Sequence, residues 1–307
     1  MARGAKPLRT QPMRKNPTLG FVLWAAPGFA QPAPVKVYVS VDMEGISGIV
    51  HADQTSADGK DYGTARKWMA DDVNAVVTGL LSGGASEVVV NDSHGGMRNI
   101  LPSDLHPEAI LISGTPKPLA MMAGIDASFA AALLIGYHAQ AGTTAGTLDH
   151  TISGGTVYEV KVNGIAMPEL GLNALIAGGL GVPVVMLSGD VAACAQAKAL
   201  LGEGVTTLAV KEALGRTAAR LVPMPEARRR LQEAAREALG KRAQVKPYTL
   251  APPYQFELSF MNAGQADLAA SLPGVRRVAG RTIAFTSQDY VEGFRLLRVA
   301  IALPSAW

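Results

Sequence analysis

Asp42 and Glu44 stand two residues apart at the end of an alternating stretch. In it Val35, Val37, Val39 and Val41 interleave with Lys36, Tyr38 and Ser40. Period two is that of a β-strand, and residues i and i+2 of a strand project to one side. Two carboxylates at the end of a buried strand are costly unless positive charge meets them. A metal ion is the obvious candidate, and other ligand types stand in comparable places. His94 follows the apolar run Val88-Val89-Val90, and His138 follows Leu133-Leu134-Ile135-Gly136-Tyr137. Glu169 comes directly after Pro168, in the first turn of a predicted helix, with Asn173 four residues on and on the same face. Imidazole and carboxylate without thiolate suits Zn²⁺, Mn²⁺, Fe or Ni²⁺ rather than a structural zinc. Five candidates (Asp42, Glu44, His94, His138 and Glu169) exceed what one catalytic metal takes from protein. A two-metal site with a bridging carboxylate fits the count, and such a site acidifies a water and polarises the carbonyl it attacks.

Each residue has a plainer reading when taken alone. A single histidine is more often a hydrogen-bonded core or surface residue than a ligand, and Asp42 with Glu44 could cap a helix or hold a stray cation. Convergence at strand ends favours the metal. Asp92 is read as a partner of His94 or a turn former. Asp190, beyond Val182–Leu187, is read as a loop or helix-capping residue, and His51 and His106 as solvent-exposed. His150 lies in a Gly/Thr-rich stretch that could reach the site without joining a strand, and there it could act as general acid, base or electrostatic stabiliser. The turn Gly45-Ile46-Ser47-Gly48 lacks the lysine and spacing of a phosphate loop.

These residues require strands that end at one edge. Apolar positions Ala65, Met69, Val73, Val76 and Leu80 predict an amphipathic helix over 60–82, stopped by Gly83-Gly84. With the strand before it and the strand at 87–90 after it, this is a βαβ unit. Ligands of open parallel sheets gather at the carboxyl ends of the strands, where Asp42, Glu44 and His94 fall. Further strands are predicted at 110–114, 130–137, 157–162 and 182–187, with Asn163-Gly164 as a hairpin turn. Beyond Gly202 come a strand at 205–210, a charged amphipathic helix at 226–241, strands at 256–260 and 283–285, and a closing helix at 290–302. The predicted fold class is α/β, a mostly parallel sheet core flanked by helices, with a smaller C-terminal α+β portion. The predicted organisation is a signal peptide and linker over 1–34, a metal-binding catalytic domain over 35–202, and a structural or assembly portion over 203–307.

Charge and cysteine content narrow the function. The chain has 28 basic and 25 acidic residues, but five of the basic ones (Arg3, Lys6, Arg9, Arg14 and Lys15) precede residue 30, where there is no acid. The remainder has 23 basic and 25 acidic residues, a net of −2, which gives no electrostatic reason for nucleic-acid binding. Cys194 is the single cysteine, so an intramolecular disulfide framework and a cysteine-rich zinc site are excluded. The basic start, the short apolar run Leu19–Ala26 and the small residues Gly28 and Ala30 predict a secretory signal cleaved after Ala30. Export to the periplasm or outside the cell is therefore expected, with a cytoplasmic location as the alternative. No later segment has about 18 uninterrupted apolar residues, so no membrane association is expected of the mature chain.

At these residues the chain resembles the zinc-dependent D-aminopeptidases of the M55 peptidase family. The resemblance rests on SVDMEGISG (40–48), VNDSHGGM (90–97), LHPEAILISGTPKP (105–118), GYHA (136–139), the stretch around His150 and ELGLNA (169–174), with fainter similarity in FMNAGQAD (260–267) and the last helix. It implies two zinc ions per subunit, with Asp42 bridging them, Glu44 and His94 completing one, and His138 and Glu169 the other. His150 falls on the family's catalytic histidine, although its context, Leu148-Asp149-His150-Thr151, departs from the Ser-rich family version. The resemblance further implies homo-oligomeric rings, typically decamers, and substrates that are short peptides with an N-terminal D-amino acid, such as D-Ala peptides. Two rival readings are another metal-dependent amide or phosphoester hydrolase, and an exported peptide-binding protein with a non-catalytic metal.

Overall fold

The chain order of strands and helices follows the βαβ logic of the sequence. The computed structural model describes residues 34–305, with 1–2 and 4–5 besides, and the signal-peptide reading falls outside these residues. Strand β1 (Lys36–Val41) is followed by a short helix α1 (Ala52–Thr55), the long α2 (Tyr62–Ser82) and β2 (Glu87–Asp92). Then come β3 (Ala109–Ile112), β4 (Phe129–Tyr137), the hairpin β5 (Val157–Val162) and β6 (Ile165–Ala166), α3 (Glu169–Gly179), β7 (Val184–Asp190) and α4 (Val191–Leu201). The C-terminal third holds β8 (Thr206–Gly215), β9 (Ala218–Leu221), α5 (Met224–Gly240), β10 (Tyr254–Phe260), α6 (Ala263–Ala269), β11 (Arg276–Ala279), β12 (Thr282–Ser287) and α7 (Tyr290–Ser305).

Two sheets result. One runs β3-β2-β1-β4-β7-β8-β9 and is parallel except for β9, which turns back on β8. The other runs β11-β12-β10-β5-β6 and is antiparallel. β1 lies inside the parallel sheet, in register with β2 on one side and β4 on the other, so its backbone is paired along both edges. Its side chains are buried on both faces, as parallel strands covered by helices require. Val37, Val39 and Val41 pack with Met69, Val73, Val76 and Leu80 of α2 and Leu231 of α5. Tyr38 belongs to the opposite core, with Leu170 and Leu175 of α3, Phe256 of β10 and Phe285 of β12. Fully burying each such valine or leucine contributes about 1.5–3 kcal/mol, which fixes the register and hence the place where β1 ends.

The predicted α/β class holds, but the tail does not stand apart from the site-bearing part. β8, β9 and α5 extend the parallel layer, while β5 and β6 join the C-terminal strands in the second sheet. Residues from Pro34 onward cluster as one unit. The change of composition near Gly202 therefore does not mark the boundary between the sheets. The reason is topological: α4 and β8 repeat the crossover after β7, so the first sheet keeps growing past residue 202. Several elements lacked a periodic signal. α4 is alanine-rich and offers little apolar contrast, α6 is seven residues long, and β11 is an exposed Arg-rich edge. α1, in a stretch read as loop, is a single turn held by a capping box between His51 and Gln54.

The close approach of the chain at the ends of β1 and β4 leaves no room for side chains at two glycines. A Cβ at Gly45 would lie 2.1 Å from the Tyr137 carbonyl oxygen, and one at Gly136, whose φ is +72°, would lie 2.2 Å from that of Asp42. Both obstacles are backbone and cannot swing aside. Gly136→Ala is expected to destabilise the protein by about 3 kcal/mol through overpacking and left-handed strain. A thermal melt at fixed metal loading checks this, and an unchanged Tm would refute the close approach.

Candidate metal centre

Asp42 continues the hydrogen bonding of β1 by one residue, its amide donating to the Ile135 carbonyl at 2.8 Å. The chain then turns sharply, with the Gly45 amide donating to the Gly136 carbonyl at 2.7 Å. This turn is pinned from three sides. Asp72 of α2 accepts from the Ser47 amide at 2.9 Å, and Gln54 accepts from the Val50 amide at 2.8 Å. From β8, the buried Lys211 ammonium donates to the carbonyls of Glu44 (2.5 Å), Ile46 (3.0 Å) and Ile49. With the amides of Gly45, Ile46 and Ser47 already committed, this glycine turn is not a phosphate cradle.

The other side chains are positioned as firmly. His94 sits in the turn after β2, where Asp92 accepts from the Asn99 and Ile100 amides and from the Asn99 side chain, and Asn99 in turn donates to the His94 carbonyl. Asp92 is thus a turn former. His138 follows β4. Glu169 opens α3, and its Oε1 accepts from the Ile152 amide at 2.5 Å. One turn further on, the Asn173 amide donates to the Tyr137 hydroxyl at 2.9 Å, and that hydroxyl meets Ser40 at 2.7 Å, which ties α3 to β4 and β1. Asp190 caps α4, as one of its predicted roles. His51 is exposed, whereas His106, expected at the surface, is half-buried because its Nδ1 and amide bond within the turn and to Asn74.

Asp42, Glu44, His94, His138, His150 and Glu169 all converge. The Nδ1 of His94 is 3.2 Å from Asp42 Oδ1 and 3.1 Å from Glu44 Oε2. The Nε2 of His138 is 3.3 Å from Asp42 Oδ2 and 3.4 Å from Glu169 Oε1. His150 stacks on His138 with ring centroids 3.9 Å apart, and its Nε2 lies 3.6 Å from Glu169 Oε1. Asp42 therefore turns one oxygen to each histidine. Each imidazole has its other nitrogen beside a main-chain carbonyl: Thr55 for His94, Ala139 for His138 and Leu148 for His150. If those nitrogens carry the proton, the three inner nitrogens present lone pairs to carboxylate oxygens. Lone pairs facing anions repel unless a cation or a second proton lies between them. His138 Nε2 and Glu44 Oε2 are buried without a hydrogen-bond partner among the described residues. This donor set, nitrogen and oxygen with no sulfur, fits a borderline divalent metal such as zinc.

Protons feel the same demand for positive charge in the metal-free protein. Burial pushes the Asp42 carboxyl above its ordinary value, and Glu44 adds to the shift. Burial acts the same way on Glu44 and Glu169 but is outweighed by imidazolium: His94 holds Glu44 well below its usual range, and His138 brings Glu169 down to about 2. Burial disfavours charge on His94 and His138 as well, yet Glu44 and Glu169 respectively lead the carboxylates that raise both well above 6.5.

A model of the M55 peptidases, described as D-aminopeptidase, matches residues 35–299. The chain belongs to the M55 peptidase family. A D-aminopeptidase of Bacillus subtilis (strain 168) is 38% identical over 270 residues, covering 88% of this chain and 97% of that one. The solved structure of the zinc-dependent D-aminopeptidase DppA from Bacillus subtilis, described as a self-compartmentalizing protease, superposes with a TM-score of 0.86 at 37% identity. It covers 89% of this chain and 99% of that one.

Two residues of this M55 chain near the site escaped the sequence reading. Lys211 interrupts the apolar run Leu208-Ala209-Val210, and a lysine there marks a buried cation with fixed acceptors. Arg298 lines a cavity of about 150 Å³ with Asp42, His94, His150 and Glu169. Its sequence signal was an arginine four residues after Phe294, on the buried side of α7.

The raised histidine values have a measurable sign. A folded-state value above 6.5 gives stability that is complete below pH 6.5 and disappears as pH rises through the raised value. The metal-free protein is expected to lose Tm over that rise. Zinc, which needs deprotonated imidazoles, is expected to stabilise increasingly over the same range, and Asp42→Ala to abolish that zinc effect. Melts with and without zinc across the neutral range test this, and a zinc effect that survives in Asp42→Ala would rule out the assigned role.

Proposed function

We propose that this M55 peptidase is a metallo-aminopeptidase that removes an N-terminal D-amino acid from short peptides, D-Ala peptides among them. Asp42 would bridge two zinc ions, with Glu44 and His94 on one and His138 and Glu169 on the other. The observation that carries this reading is the pair of Asp42 oxygens, each turned to a different histidine and its carboxylate. Zinc bound there supplies Lewis acidity toward the scissile carbonyl and makes water nucleophilic at neutral pH.

The chain's own residues do the rest. The Asp42 and Glu169 carboxylates lie on the wall of the small cavity that would take the substrate's first residue. His150 also lines the cavity and, with Nδ1 at the Leu148 carbonyl, keeps Nε2 toward the site, where it can hold or deliver a proton as charge develops on the carbonyl oxygen. His150 also groups with His138 and Glu169 closely enough to bind a metal itself, which is the competing role.

His150→Ala separates the two roles. It is expected to lower kcat about 10²–10⁴-fold with zinc content unchanged, and loss of a zinc ion would make His150 a ligand. Metal analysis beside turnover of D-Ala-D-Ala, L-Ala-L-Ala and p-nitrophenyl phosphate tests the whole reading. Zinc-dependent cleavage confined to the D-peptide is expected. Cleavage of the phosphoester would favour the other metal-hydrolase reading, and D-peptide binding without turnover a binding protein.

The reading extends to assembly and location. Homo-oligomeric assembly is supported by the self-compartmentalizing description of the DppA relative, a ring of ten is what the family resemblance implies, and export is supported by the basic and apolar pattern of residues 1–30. Sedimentation of the protein recovered from the periplasm or medium tests both. A monomer, or a full-length chain confined to the cytoplasm, would contradict them.

A further inference from the structure

The C-terminal helix brings a guanidinium to the metal centre. Arg298 sits on α7 among the buried residues Phe294, Leu297 and Ile301, and is itself half-buried. Among the described residues it makes no hydrogen bond and no ion pair. Arg66 donates to the Asn99 carbonyl, Arg216 pairs with Asp149 and Arg228 pairs with Asp72, while Arg98 and Arg295, which make no such contact among the described residues, are exposed to water. Burial lowers the Arg298 pKa and the charge of Glu169 raises it, but a guanidinium stays protonated regardless. A partly buried cation without an acceptor is costly, and what suits it best is a carboxylate held by two parallel hydrogen bonds.

Two cavities meet at Arg298. Arg298 borders the small cavity shared with Asp42, His150 and Glu169. It also borders an open groove of about 290 Å³ that contains Lys117 and Arg295. It is the one residue common to both linings, so it stands between the metal centre and the outside. The cavity has the candidate metal centre at one end and the guanidinium of Arg298 at the other. At about 150 Å³ it is smaller than the roughly 300–1,000 Å³ of pockets that hold drug-sized ligands. A dipeptide, about 7 Å end to end when extended, can place its free amino end at the metal centre and its carboxylate at Arg298.

We propose that Arg298 binds the C-terminal carboxylate of a dipeptide whose first residue lies at the metal centre, and so selects short free-acid peptides. This rests on the aminopeptidase reading. It makes Arg298 a specificity residue and gives the tail a part in substrate choice.

The test compares D-Ala-D-Ala with its C-terminal amide in the zinc-loaded wild type, Arg298→Met and Arg298→Lys. The wild type is expected to prefer the acid. Arg298→Met should raise KM for the acid about 10–100-fold, leave the amide within about twofold, and keep its zinc, while Arg298→Lys recovers part of the loss. Equal loss on both substrates would mean that Arg298 acts through Glu169 or the reacting centre, and no loss on either would mean that it does not touch substrate. Both outcomes overturn the proposal. If Arg298→Met does not fold, Arg298→Gln keeps a polar but uncharged head and gives the same comparison. A wild type that cleaves neither peptide would refute the aminopeptidase reading alone. Calorimetric Kd values for acid and amide then decide Arg298 independently: an acid preference lost in Arg298→Met upholds it, and equal binding sinks it.

Discussion

Three carboxylates buried around the inner nitrogens of three imidazoles are the constraint on which the rest of this structure depends. Asp42, Glu44 and Glu169 are almost fully removed from water, and His138 with them. Removing an anion from water costs several kcal/mol unless it is paired. The histidines do not pair these anions by themselves if their protons lie on the nitrogens beside main-chain carbonyls. One divalent cation against three carboxylates would leave a net negative site; two leave it one charge positive, which a hydroxide balances. Electrostatics and ligand count therefore point the same way. The raised histidine and lowered glutamate values are the same imbalance met by protons.

Such a site must be imposed by a rigid frame, because its own members repel one another when no cation is bound. The frame is made of backbone contacts that tolerate no alternative. Gly45 and Gly136 let the ends of β1 and β4 approach closer than any side chain allows. Lys211 draws three carbonyls of the β1 turn toward one ammonium, and Asp72 holds the turn from the opposite layer. The Lys211 charge is buried; burial brings its pKa down to about 8, with Asp190, Glu44 and Asp72 opposing the fall. A cation beneath the turn also offsets part of the negative charge above it. Lys211 thus both shapes the turn and tempers the field of the carboxylates.

The strand-end ligands were readable because a short apolar run that delivers a polar residue is a local pattern. Asp42, Glu44, His94 and His138 each follow such a run, and Glu169 follows a helix-opening proline. The parallel strands and the amphipathic helices α2 and α5 were legible for a similar reason, their periodicity. What was not legible depends on partners distant in sequence. Lys211 meets Glu44 across 167 positions, and nothing within a window around either residue announces the other. The join between β5 and β10, which merges the tail with the first part of the chain, is set by cross-strand packing of Phe256 and Leu258 against Val160 and Val162. A boundary drawn from composition near Gly202 could not anticipate that. α4 and α6 were not legible because an alanine-rich helix and one of only seven residues carry no clear apolar stripe.

The tail packs against the site-bearing core with a consequence for chemistry. α7 lies against α3, the helix that opens with Glu169, and Tyr290 of α7 donates to the Leu172 carbonyl at 2.9 Å. The position of the glutamate and the position of Arg298 are therefore fixed by one helix–helix contact. Opposite charges so placed would ordinarily collapse into an ion pair. Here Glu169 is held by the Ile152 amide and turned toward His138 and His150 instead. The metal centre that Glu169 serves and the guanidinium of Arg298 thus face each other across a small slot, and the proposed complement is a small molecule with a free amine at one end and a carboxylate at the other. The same packing that completes the hydrophobic core thus sets the distance between the two ends of that slot, and peptide length becomes a property of the fold.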